Sequence, residues 1–139
     1  MNIAFFLTPK SQVAFLLESY TVRQALEKMR KHGYTAIPVL TKEGLYLGTV
    51  SEGDFLWYIL EQKKSEDVKE MKSLEDIYLS DMIYNSKYIP VHIMTSVDEL
   101  LAQATRQNFV PVLDDNEVFI GIVTRKDIIK YFTDKNSDL

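Results

Sequence analysis

Apolar residues recur every third or fourth position through Val22, Ala25, Leu26 and Met29, and again through Val97, Leu100, Leu101 and Ala104. That period is one face of an α-helix, so the pattern predicts two amphipathic helices. Thr21 with Gln24, and Ser96 with Glu99, are spaced as capping boxes that would open them. Gly33 and Asn108 are expected to close them in the left-handed conformation. A short apolar run precedes each helix, VAFLL (13–17) and YIPVHI (88–93). Two more follow it, AIPVL and YLGTV in one case, FVPVL and FIGIV in the other. The polar segments TKEG and DDNE between those runs have hairpin length. Further helices start near Glu52 and Arg125, and the charged stretch 61–82 reads as a helical linker in which Ser73 caps SLEDIYLSDMI.

The order strand, helix, strand, turn, strand, helix therefore occurs twice, and the residues agree as well as the pattern. Pro38 aligns with Pro111, Val39 with Val112, Gly48 with Gly121, Ser51 with Thr124 and Asp54 with Asp127, always 73 positions apart. From Val22 to Pro38 is 16 residues but from Val97 to Pro111 only 14, a difference expected in the helix-to-strand turn. One unit leaves a sheet face bare, so the two are expected to pack on each other about a pseudo-twofold.

Composition narrows the function. There is no Cys, which excludes disulfides, thiolate metal sites and a Cys nucleophile, and fits a cytoplasmic setting. No apolar run approaches a membrane span, and the first residues lack the basic region and cleavage site of a secretory signal. A net charge of −4 argues against non-specific nucleic-acid binding. His32 and His92 have no second ligand at metal spacing. Ser51 and Thr124 have no base placed to activate them, and EGLYLG lacks the G-K-[ST] ending of a P-loop, so catalysis is not expected.

The duplicated helix, "PV" strand and closing G-x-x-[ST]-x-x-D, carried by Gly48, Ser51 and Asp54 and by Gly121, Thr124 and Asp127, resemble the cystathionine-β-synthase (CBS) domain pair, or Bateman module. The resemblance spans roughly Leu7 to Thr133. It implies an α+β fold of two pseudo-symmetric repeats packed sheet to sheet, with repeat 1 at 7–62, the linker at 63–82 and repeat 2 at 83–134. It also implies an adenosine-containing regulatory ligand, with no required cofactor, together with a homodimer and an unidentified protein partner. Phe55, Leu56, Ile59, Ile128, Ile129 and Phe132 are candidate dimer contacts, and Trp57 and Tyr58 are expected to pack or to join that interface.

By the same resemblance the adenine lies against Tyr34, Thr35, Ala36, Ile37 and Pro38 in the first repeat, and against Asn108, Phe109, Val110 and Pro111 in the second. Lead-in segments close over the base, Thr8 to Ala14 with Lys10, Gln12 and Ala14, and Lys87 to Pro90 with Tyr88 and Ile89. Chemically, a helix that starts at a strand end points amide N–H groups at a phosphate. Ser51 or Thr124 adds a hydroxyl, and Asp54 or Asp127 can accept both hydroxyls of a ribose cis-diol. Lys10, Lys87, Arg125 and Lys126 are the basic neighbours; the second repeat carries Arg125 and Lys126 where the first carries Glu52 and Gly53, so the first is expected to be the poorer phosphate site. The plainer alternatives are that both Asp residues are helix-favouring first-turn acids and that Arg125 and Lys126 form a solvated face. Two intact Asp residues favour a mononucleotide (AMP, ADP or ATP) over cyclic di-AMP, whose 3′-oxygens are taken by the linkage. Against that, GYTAIPV and VFIGIVTR look similar to stretches of stand-alone bacterial CBS proteins that bind cyclic di-AMP. A structural module with vestigial sites is the remaining reading.

Overall fold

A computed structural model describes residues 2–64, 73–82 and 88–137 of the chain. The elements are β1 (Thr8–Pro9), β2 (Leu16–Leu17), α1 (Val22–His32), β3 (Ala36–Leu40), β4 (Tyr46–Ser51), α2 (Glu52–Lys64), β5 (Val91–His92), α3 (Val97–Ala104), β6 (Phe109–Leu113), β7 (Phe119–Thr124) and α4 (Arg125–Ser137). The fold is α+β with two sheets, and the chain divides into two compact units, one of Ala14–Lys87 and one of Met1–Val13 with Tyr88–Leu139.

In the Ala14–Lys87 unit β2 lies parallel to β3, and β3 antiparallel to β4 with Ile37 opposite Val50. Helix α1 buries Val22, Ala25 and Met29, the face its periodicity predicts. Its capping box closes in both directions between Thr21 and Gln24, and Gly33 ends it at φ 70°. The segment 73–82 forms turns and a 3-10 turn at Leu79–Asp81, not the α-helix expected from Ser73. Two facts explain this. Ile77 and Leu79 are buried among the α1 and β3 side chains, and the carbonyls of Ile77 and Leu74 accept from the first α1 amides, Val22 (2.8 Å) and Arg23 (3.1 Å). Carbonyls in an α-helix would point along its own axis and leave those orphan donors unmet. Residues 65–72 of the expected linker, and 83–87, with Ile83 of the expected helix and Lys87, lie outside the described residues.

In the other unit the strand order is β1-β7-β6-β5. β5 runs parallel to β6 and β6 antiparallel to β7, as in the first repeat. The addition is β1, which pairs with β7 through Thr8 opposite Ile122 and Pro9 opposite Gly121. A register shift falls at equivalent places, between Val39 and Leu40 and between Val112 and Leu113. Leu100, Val110, Val112 and Val123 form the core with Ile3 and Phe6 from the N-terminal 3-10 turn.

The length difference between repeats does not fall in the turn. Helix α1 has 11 residues and α3 has 8, while the turn before the strand is one residue longer in the second repeat. Helix α3 ends at Ala104, with Thr105 right-handed as its cap, so Asn108 is not the left-handed closing residue. Of the expected dimer contacts, Phe55 and Ile128 are core residues; Leu56, Trp57, Ile129 and Phe132 are exposed.

Candidate functional site

Each closing helix begins directly where a strand ends, and in both repeats a hydroxyl caps it. Asp54 N–H donates to Ser51 Oγ (3.3 Å) and Asp127 N–H to Thr124 Oγ1 (3.1 Å). The residue between is tied back to its own unit, Glu52 N–H to Thr35 O (3.0 Å) and Arg125 N–H to Asn108 O (3.2 Å). Two early amides of each helix are thus satisfied within the protein, which leaves Gly53 and Lys126 outside these bonds. The capping oxygens act as acceptors, so each hydroxyl keeps its own hydrogen for a ligand.

The two acids then part company. Asp54 Oδ2 accepts from Ser51 N–H at 2.8 Å, which completes a reciprocal capping box. In that role Asp54 is the plain helix-starting acid. Asp127 makes no such return bond; its Oδ2 accepts from the Thr8 hydroxyl at 3.2 Å. β1 lies close enough to do this because Gly121 has no side chain. A Cβ there would run into the Thr8 carbonyl and come within 2.9 Å of Leu7 Cδ1 and 3.1 Å of Pro9 Cα. Asp127 also borders an open cavity of about 290 Å³, with Phe5, Phe6, Lys130 and Asp134 on its walls.

Arg125 is less available than its sequence position suggests. Its Nε donates to Ala104 O (2.6 Å), Nη2 to Thr105 O (3.0 Å) and Nη1 to Asn108 Oδ1 (3.0 Å). The guanidinium thereby takes the orphan carbonyls at the end of α3, which accounts for the early stop of that helix. Two of its five N–H groups remain for an anion. Lys126 is exposed, and Lys10 and Gln12 sit on a 3-10 turn that lies against β7.

The strands behave as core first. Ile37, Pro38, Val110 and Pro111 are buried, as is Phe109, so a base can meet their backbone but not their side chains. Tyr34 and Thr35 are exposed, and Ala14, Ala36, Tyr88 and Pro90 half-buried. Tyr88 packs on Phe109 with ring centroids 4.9 Å apart. Thr8, Lys10, Gln12, Tyr88–Pro90, Asn108–Pro111 and Thr124–Asp127 belong to one unit, and Ala14, Tyr34–Pro38, Ser51 and Asp54 to the other, so residues 7–13, expected within repeat 1, lie with the residues of the second repeat. Sequence reasoning missed Gln107, whose buried amide holds both backbone groups of Ile89. A lone Gln ahead of an apolar strand carries no periodic or motif signal.

Two copies of one α+β unit, each ending in a hydroxyl-capped helix beside a strand, define a tandem-repeat module. The CBS domain family matches residues 6–61 and 76–134, and the chain belongs to that family. It is 28% identical over 131 residues to cyclic di-AMP receptor B of Bacillus subtilis (strain 168), covering 93% of this chain and 84% of that one. The crystal structure of CbpB in complex with c-di-AMP superposes with a TM-score of 0.85 at 26% identity, covering 99% of this chain and 88% of that one. A third relative, homoserine O-acetyltransferase of Methanococcus vannielii, is 25% identical over 120 residues, 85% of this chain. This chain spans only 22% of that enzyme's length.

Proposed function

We propose that the chain is a regulatory adenine-nucleotide receptor whose ligand is cyclic di-AMP. The observation that carries the choice of ligand is that both carboxylates able to read a ribose cis-diol already hold protein donors, Asp54 the Ser51 amide and Asp127 the Thr8 hydroxyl. A mononucleotide setting both diol hydroxyls across one of these carboxylates has to share Oδ2 with those donors, whereas a cyclic dinucleotide brings only a 2′-hydroxyl, which Oδ1 alone can accept. This turns the preference drawn from two intact Asp residues the other way. Likeness over nearly the full length to a cyclic di-AMP receptor supports the same ligand. Arg125, with two donors left, suits one of its phosphates.

The bound state is read by a protein partner, with the chain acting as a cytoplasmic homodimer and performing no chemistry. Exposed Trp57 and Ile129, at 66% and 63%, support an apolar contact. Among the described residues no group of three or more His, Cys, Asp or Glu could hold a metal. A mononucleotide is the second reading, favoured by the cavity beside Asp127.

The test is a thermal-shift and calorimetry panel of cyclic di-AMP, AMP, ADP, ATP and S-adenosylmethionine. A ligand at 100 times its Kd adds about 2.7 kcal/mol, which is readily seen. Cyclic di-AMP is expected to shift the protein most, and Asp127→Ala to weaken AMP more than cyclic di-AMP. No shift with any of the five would overturn the receptor reading; equal losses on Asp127→Ala would refute the argument from the diol.

A further inference from the structure

Gln107 lies in the turn between α3 and β6, with 4% of its surface exposed. Its Oε1 accepts from Ile89 N–H (2.8 Å), and its Nε2 donates to Ile89 O (3.1 Å) and Phe109 O (3.1 Å). Both amide hydrogens are therefore committed, and Ile89 is paired as though beside a strand although β5 begins only at Val91. The equivalent position in the first repeat is Tyr34, which is 41% exposed and stacked on His32 at 5.4 Å. There the lead-in segment is held instead by Lys28, whose Nζ donates to Phe15 O (2.7 Å). An ammonium fixes one carbonyl without orienting the peptide. The Gln amide fixes a donor and an acceptor together and so sets the plane of the segment.

We infer that Gln107 is a positioning residue for base recognition in the second repeat, which rests on the adenine-nucleotide reading above. By holding Ile89 it removes the one N–H that the Ile89–Pro90 pair could offer, since Pro90 has none. The rim beside Phe109 then offers a base no N–H from Ile89 or Pro90, which leaves the 6-keto group of guanine without a donor there. Releasing Ile89 N–H would supply a donor that suits the keto group. The second repeat is thereby the pre-organised, adenine-selective half, and the first lacks the device.

The experiment measures affinities for cyclic di-AMP and cyclic di-GMP, and for AMP and GMP, by calorimetry on the full chain. The proteins compared are wild type, Gln107→Met and Gln107→Glu, with Leu100→Ala as a core control of comparable instability. Gln107→Met keeps the shape without the bonds, and Gln107→Glu sets an acceptor against two carbonyls. Gln107→Met is expected to lower the adenine-to-guanine affinity ratio about tenfold, a difference of about 1.4 kcal/mol, while Gln107→Glu, whose carboxylate still accepts from Ile89 N–H, and Leu100→Ala keep the ratio within twofold. If Gln107→Glu does not fold, Gln107→Met alone decides. A Gln107→Met ratio within twofold of wild type, or an equal fall in Leu100→Ala, overturns the inference and leaves the receptor reading intact. Absence of wild-type binding to either adenine ligand overturns both.

Discussion

Gly121→Ala tests whether the close approach of β1 is what brings Thr8 to Asp127. The added methyl group meets backbone on two sides, the Thr8 carbonyl and Pro9 Cα at 3.1 Å, as well as Leu7 Cδ1 at 2.9 Å. Only the leucine end can swing away, so β1 itself has to move off β7. Overpacking of this kind costs about 1–3 kcal/mol, and loss of the Thr8–Asp127 hydrogen bond adds about 1 kcal/mol. A total of about 2–4 kcal/mol corresponds to a fall in Tm of roughly 7–14 °C for a chain of this size. Urea and thermal unfolding followed by circular dichroism would measure it. Gly53→Ala is the internal control: its Cβ meets only Ser51 Oγ at an ordinary 3.7 Å. On α2 that change is expected to stabilise by about 0.5–1 kcal/mol. Opposite signs at these two glycines, the first and the sixth positions of the motif, would be hard to obtain from composition alone. A Gly121→Ala protein within 0.5 kcal/mol of wild type would refute the reasoning, because β1 would then be able to leave at no cost.

Asp54→Ala removes half of the α2 capping box and is expected to cost about 1 kcal/mol in urea unfolding, with a smaller loss of cyclic di-AMP affinity than Asp127→Ala; the reverse order would mark Asp54 as the ligand reader. Arg125→Met frees the carbonyls at the end of α3, for an expected loss of about 2 kcal/mol and faster amide exchange over 105–108. Arg125→Lys should not restore it, since an ammonium cannot span Ala104, Thr105 and Asn108 together. Trp57→Lys and Ile129→Lys are expected to convert a dimer to monomer in light scattering with Tm little changed; a dimer surviving both changes would place the contact elsewhere.

Much of the fold was legible in the chain because the signals were local or repeated. The face of α1, its Thr21–Gln24 box and its Gly33 terminus each depend on residues within one or two turns, and all three are as read. Pairing of the "PV" strands with the strands that follow is likewise a hairpin matter, and Pro38 faces Thr49 as Pro111 faces Ile122. The helix expected from Ser73 failed because its own propensity was outweighed by α1 amides needing carbonyls and by a core needing Ile77 and Leu79. The length difference was misplaced for a similar reason. Nothing near Asn108 in the chain announces that Arg125, 17 residues on, would terminate α3 early.

The candidate site divides along the same line. Spacing alone placed a hydroxyl where each strand gives way to a helix and an Asp one turn further on; that Ser51 and Thr124 cap those helices came from the structure. Which Asp closes on its own backbone and which turns to another segment was not written there. Asp54 and Asp127 have the same local motif, and they differ because β1 adds to the sheet beside β7, where Gly121 leaves room for Thr8. The repeat was a property of the sequence; its broken symmetry came from contacts between residues more than a hundred positions apart, which only folding brings within hydrogen-bond reach.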